Sequence, residues 1–182
     1  NKFNEASYEA IPALIELVKQ PSHNGGLQNL YYKQTWVAQA LGKIGPKACD
    51  SVPLLLTIAC KSGSVLARTV AIGSLKKVGS SGVPELVKAY NNPEKIGDKK
   101  TKIKTLCLFT IGVCKDVNEK DVLPCLVEAL KDKGEEVAIV RAAAAFVLGS
   151  FNLNDETKSL LIKALEDKDM YVKWNAAFSL SN

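Results

Sequence analysis

The apolar residues of this chain fall into a recurring form. Ile11-Pro12-Ala13-Leu14, Val52-Pro53-Leu54-Leu55, Val83-Pro84-Glu85-Leu86 and Leu123-Pro124-Cys125-Leu126 are four copies of one apolar entry, and Lys158-Ser159-Leu160-Leu161 is a fifth without the proline. Proline is tolerated in a first helical turn, where its missing N–H would have no intrahelical partner. Four prolines in register therefore predict helix starts. Further along each copy, Leu41, Leu75, Ile111, Leu148 and Leu180 align as apolar anchors, with separations of 34, 36, 37 and 32 residues. Gly42, Gly112 and Gly149 follow three of them directly. Four residues before the anchors stand Val37, Ala71, Cys107, Ala144 and Ala176, small enough to let neighbouring helices approach closely.

A helix pair every 32–37 residues cannot hide its apolar face alone, so stacking of pairs must supply the core. The expected fold is all-α, an α-solenoid of about five antiparallel helix pairs. The predicted helices are 7–20 and 28–44, 50–61 and 64–78, 82–91 and 98–114, 121–131 and 135–150, and 155–166 and 169–180. The whole chain, 1–182, reads as one array with repeats at 7–45, 50–79, 82–116, 119–151 and 155–182. Ser64 and Asp169 are placed to cap the helices that follow them. The stretches 21–27 and 92–99, richer in Gly, Asn and Pro, are expected to be exposed insertions. The last residues, AAFSLSN, stop where a helix should still be running, so the chain is expected to be part of a longer protein.

Ala129-Leu130-Lys131-Asp132, followed by Val140-Arg141-Ala142-Ala143-Ala144-Ala145-Phe146-Val147-Leu148-Gly149, resembles a HEAT repeat. The type is the short bacterial HEAT-like unit also found in phycobilisome lyase subunits. Ala164-Leu165-Glu166-Asp167 with Val172–Leu180, and Val37–Gly45, match it again, whereas the second and third copies diverge. The resemblance implies a right-handed superhelix with second helices on the concave face and first helices on the convex one. It implies structural ion pairs for the basic residue seven before each anchor, here Arg68, Lys104, Arg141 and Lys173, with Gln34 departing from the pattern. It also implies which second-helix positions face the groove. These hold Tyr32, Thr35, Trp36, Gln39 and Lys43; Leu66, Thr69, Val70, Gly73 and Lys77; Lys102, Thr105, Leu106, Phe109 and Val113; Ile139, Ala142, Ala143, Phe146 and Ser150; and Tyr171, Trp174, Asn175 and Phe178.

Both tryptophans fall on that face, and exposed aromatics mark binding surfaces. The same spacing also suits a packed internal ladder of Phe109, Phe146 and Phe178, so groove and core both stand as readings. Charge adds a second candidate. Residues 33–104 carry thirteen Lys and Arg against four acids, while 105–182 carry nine against twelve. Lys76, Lys77, Lys95, Lys99, Lys100 and Lys102 form the densest part of this basic belt, either a solvated face or a surface for an acidic partner or nucleic acid.

Composition narrows the rest. At 47% apolar and 24% charged the chain is a folded protein rather than a disordered one. No run approaches the length of a membrane-spanning helix. Cys49, Cys60, Cys107, Cys114 and Cys125 are odd in number, lack CxxC spacing and mostly sit in apolar helical patterns. They are expected to be buried small hydrophobes in a cytoplasmic, reducing setting. With one histidine, His23, metal-ligand spacing is absent and a nucleophilic triad has little to build on. The acid pairs Glu135-Glu136 and Asp155-Glu156 sit at helix starts, where the helix dipole accounts for them. The expectation is a non-enzymatic scaffold without cofactor or metal, binding a protein or peptide through Tyr32, Trp36, Lys77, Lys102, Phe109, Phe146, Tyr171, Trp174 and Phe178. The alternatives are a nucleic-acid-binding protein of DNA-glycosylase type using the lysine belt, or a lyase-type subunit.

Overall fold

The computed structural model describes residues 2–20, 26–97, 99–132, 134, 137–151 and 154–181, with only the backbone described for 2–7. Among them the chain is all-helical. Ten α-helices follow in order: α1 (Lys2–Lys19), α2 (Gly26–Ile44), α3 (Val52–Lys61), α4 (Val65–Val78), α5 (Val83–Asn91), α6 (Lys100–Val113), α7 (Glu119–Lys131), α8 (Ala138–Leu148), α9 (Asp155–Ala164) and α10 (Met170–Leu180). Short 3-10 segments at Gly45–Ser51, Gly79–Gly82 and Pro93–Lys95 lie between them.

The starts are set by side chains as expected in two places. Ser64 Oγ accepts the Ala67 N–H at 3.2 Å, and Asp169 accepts the N–H groups of Tyr171 and Val172. Pro53 and Pro84 occupy first turns. Pro12 and Pro124 do not, which corrects the expectation that all four prolines open helices. In the second case Asn118 caps the helix one turn earlier, its side chain accepting from Lys120 N–H, so the helix runs on through an exposed proline. The stretch after α5 is also less of an insertion than its composition suggests. Pro93 and Ile96 are buried and fold it back onto the core. Residues 21–25, with His23, and the pair Glu135-Glu136 lie outside the described residues.

Contacts sort the helices into two layers. The odd-numbered helices α3, α5, α7 and α9 touch in succession, and so do the even-numbered α2, α4, α6, α8 and α10. Each odd helix also packs on the even helix that follows it. The core lies between the layers. The anchors Leu41, Leu75, Ile111 and Leu148 are buried, and so are Val37, Ala71, Cys107, Ala144 and Ala176 four residues earlier.

The pairs α2–α4, α6–α8 and α8–α10 run parallel, and two of these junctions share a clasp. Ser74 Oγ donates to the Ala38 carbonyl at 2.7 Å, and Ser179 Oγ donates to the Ala145 carbonyl at the same distance. Gly42 and Gly149 make room for these serines: a Cβ on either would press on the serine side chain and on its backbone. At the α6–α8 junction Gly112 makes room for the Val147 side chain. At α4–α6 the residue after the anchor is Lys76, not glycine, and that contact is the sparsest of the four.

Cys60, Cys107 and Cys125 are buried and Cys49 and Cys114 half-buried, all as free thiols. Burial pushes the Cys60, Cys107 and Cys114 thiols up and takes Cys125 to about 11, the reverse of an activated thiolate.

Candidate functional surface

The residue seven before each anchor shows how one repeat is tied to the next. Arg141 on α8 is only 5% exposed in its side chain and is fully engaged. Its Nε and Nη2 reach the two carboxylate oxygens of Asp167, at 2.8 and 3.1 Å. Its Nη1 donates to the carbonyls of Asp132 and Gly134, at 3.0 and 2.7 Å. Burial by itself would push the Asp167 carboxyl up. The Arg141 guanidinium, the Asp169 N–H and the Lys173 charge together outweigh it and hold the group below the usual carboxylate range.

The other copies vary this theme. Gln34 accepts from Ser62 Oγ at 2.6 Å, replacing charge with a neutral hydrogen bond to the next repeat. Lys104 lies 4.7 Å from the centre of the buried Tyr90 ring and 3.9 Å from Glu128. Arg68 donates to the Ser62 carbonyl at 2.7 Å with no acid in reach among the described residues. Lys173 is exposed and forms no ion pair among them. The expectation of an ion pair in each of four repeats therefore fails at Arg68 and Lys173: Arg68 keeps only the carbonyl of the turn before its own helix, as Arg141 does with Asp132 and Gly134, and finds no counterpart of Asp167 among the described residues.

Among the described residues, twelve of the sixteen exposed large apolar side chains lie on the even helices. Trp36 is 66% exposed, Trp174 59% and Phe109 41%; Tyr32, Tyr171 and Phe178 are exposed as well, and Phe146 is half-buried. Groove and ladder turn out not to exclude each other. Phe109, Phe146 and Phe178 do form a ladder, with ring centres 5.9 and 6.2 Å apart, but it lies at the surface of the even layer rather than inside it. Tyr171 and Trp174 meet edge to face at 5.5 Å. Ala142 and Ala143 are corrections, buried where the spacing would have them face the groove. α8 is flanked by α6 and α10, and a methyl group is too short to emerge between them.

The lysines do not form one belt. Lys102 Nζ donates to the Cys60 carbonyl at 3.2 Å, at the C-terminal end of α3, where a cation satisfies a carbonyl left free by the helix end. The start of α6, with Lys99, Lys100 and Lys102, thus lies beside the end of α3 and the start of α4. Lys76 and Lys77 lie at the far end of α4, about 16 Å along its axis at 1.5 Å per residue. All six remain exposed, as two groups at opposite ends of the even layer.

A cleft lies elsewhere. It encloses about 600 Å³ beside α7 and α9 and is lined by Leu130, Leu160, Lys163 and the already saturated Arg141 among others. Among the described residues no group of three or more His, Cys, Asp or Glu is placed to hold a metal ion, and no helix is long and apolar enough to cross a membrane. Asp155 and Glu156 are exposed in the first turn of α9, which Asn154 caps through the Thr157 N–H at 2.9 Å. Neither family models nor curated proteins give a match to this chain.

Proposed function

We propose that the chain is a HEAT-like, right-handed α-solenoid that works as a non-enzymatic scaffold and binds a protein or peptide along the concave face of its even helices. One observation carries this reading: the exposed aromatic and aliphatic side chains are concentrated on one layer, most of them along α2, α6 and α10. Rings are large, rigid contacts that lose little entropy on binding, so such a row favours association. The free thiols support a reducing, cytoplasmic setting. The nucleic-acid reading draws less support, since the lysines it relies on divide into two groups. The lyase-type reading has no residue constellation to support it.

The shape has a direct test. A compact globule of this length has a radius of gyration of about 16 Å. Small-angle scattering is expected to give a clearly larger value, and about 16 Å would overturn the solenoid. The binding face is tested with peptides selected on the protein from a displayed random library. Serine at Trp36, Phe109, Phe146 and Trp174 together is expected to weaken their binding at least tenfold. Serine at Tyr8 and Ile162, exposed on α1 and α9, should leave it unchanged. Equal losses from both sets would place binding outside the even layer.

A further inference from the structure

The two layers differ in charge more sharply than the chain does along its length. α2, α4, α6, α8 and α10 carry ten Lys and Arg and not one Asp or Glu. The odd helices are nearly balanced, with nine acidic and eight basic residues. Helix physics does not require this. A first turn favours Asp and Glu, and α5, α7 and α9 follow the preference, yet no even helix does.

Four of the ten cations are used internally: Arg68 and Lys102 on carbonyls, Lys104 on Tyr90, and Arg141 on Asp167. Lys43, Lys76 and Lys77 are not. They stand exposed in the last turns of α2 and α4, without an ion pair among the described residues. Those two helix ends lie side by side, since a Cβ on Gly45 would be 3.6 Å from the Lys77 carbonyl. Lys43 and Lys77 each sit two residues past an anchor and so take equivalent places on parallel neighbours. Towards α8 and α10 the same layer presents Ile139, Phe146, Tyr171, Trp174 and Phe178. The unengaged cations therefore gather at the ends of α2 and α4, while the phenylalanine ladder runs over α6, α8 and α10; α2, which carries Lys43, adds the exposed rings of Tyr32 and Trp36.

We propose that this face takes an acidic, amphipathic peptide segment, its carboxylates meeting Lys43 and Lys77 and its apolar side chains lying along the phenylalanine ladder. The inference rests on the scaffold reading above and adds the chemistry of the partner. Opposite charge steers such a segment to the layer and fixes its direction, while the rings provide the contact area. Four steps between helices 8–10 Å apart span about 36 Å, the reach of roughly eleven extended residues. A single nucleic-acid strand fits less well. It needs open ring faces and cations along its path. Phe146 and Phe178 lie nearly parallel at 17°, each with one face turned towards the other, and Lys173 is the one cation of α8 and α10 not held in a buried pair.

The test is selection of twelve-residue random peptides on the full chain, followed by fluorescence anisotropy with the enriched sequences and with a twelve-nucleotide oligo(dT). Enriched peptides are expected to carry net negative charge together with Leu, Phe or Trp. Their affinity should fall about tenfold for the double variant Lys43→Glu/Lys77→Glu, about tenfold for Phe146→Ser, and markedly between 50 and 500 mM salt. Circular dichroism controls for folding, which two exposed lysines should not disturb. Neutral or basic peptides that still depend on Phe109 and Phe146 would overturn the charge inference and leave the scaffold reading standing. Peptides indifferent to both rings, or no enrichment, would overturn both. Oligo(dT) binding tighter than the peptides and competing with them would transfer the face to nucleic acid.

Discussion

Replacing Arg141 by alanine is expected to lower stability by about 3–4 kcal/mol in urea unfolding, because it breaks a buried ion pair and strands what the guanidinium satisfied. Four hydrogen bonds end at once. Two go to the Asp167 carboxylate on the following repeat, and two to the carbonyls of Asp132 and Gly134 in the turn between α7 and α8. Asp167 keeps some access to water, with 16% of its side chain exposed, which holds the effect below the upper end of the range for buried pairs. Arg141→Lys keeps the charge but cannot span both carboxylate oxygens and two carbonyls, so most of the loss should remain. Wild-type stability should also carry an acid-side dependence on this pair. The folded Asp167 carboxyl is held below its unfolded value, so its contribution is fully present above about pH 4 and is lost as pH falls through the lower folded value. Arg141→Ala should remove that component. A variant that unfolds within about 1 kcal/mol of wild type, with the acid-side slope intact, would show that Arg141 does not tie the repeats together.

That position also shows what a single sequence reveals. Its spacing from the anchor was legible, because helical periodicity fixes which residues share a face. The same holds for the helix pairs, the buried small residues before each anchor and the caps at Ser64 and Asp169. Which partner each cation would find was not legible. Arg68, Lys104 and Arg141 occupy one register position and meet a carbonyl, a ring and a carboxylate respectively, since the partner comes from a turn or a neighbouring repeat whose placement is a tertiary matter. The lysine belt failed for the same reason. Nearness in sequence does not make one patch, since a helix of α4's length sends its two ends to opposite edges of a layer. The segregation of charge between layers is not visible along the chain, because the alternation of odd and even helices averages it away. For the aromatic row, periodicity leaves two readings open; the rings stack on one another at the surface of the even layer, not inside it.

The glycines that follow the anchors provide the second large effect, and its sign should depend on position. A Cβ on Gly149 would sit 2.8 Å from the Ser179 Cα and 2.6 Å from its Cβ, so neither a rotamer change nor removal of the hydroxyl relieves it. α8 and α10 would have to part, stretching the bond from Ser179 Oγ to the Ala145 carbonyl and loosening Ala144 and Ala176 in the packed interface. Overpacking of this kind together with a weakened buried hydrogen bond predicts a loss of about 2–3 kcal/mol for Gly149→Ala. Gly42→Ala should behave alike, its Cβ falling 3.0 Å from the Ser74 Cα and 2.8 Å from its Cβ. Adding Ser74→Ala to Gly42→Ala should recover only a small part, because the backbone contact remains. Gly73, in the same helix as Ser74, is the counterpart. A Cβ there meets nothing within 4 Å, and its backbone is already helical. Gly73→Ala should therefore stabilise by about 0.5–1 kcal/mol, since alanine has less freedom to lose on folding. If unfolding curves moved in the same direction for Gly73→Ala and Gly149→Ala, helix propensity rather than close approach would govern both, and the clasp between parallel helices would not be what sets their spacing.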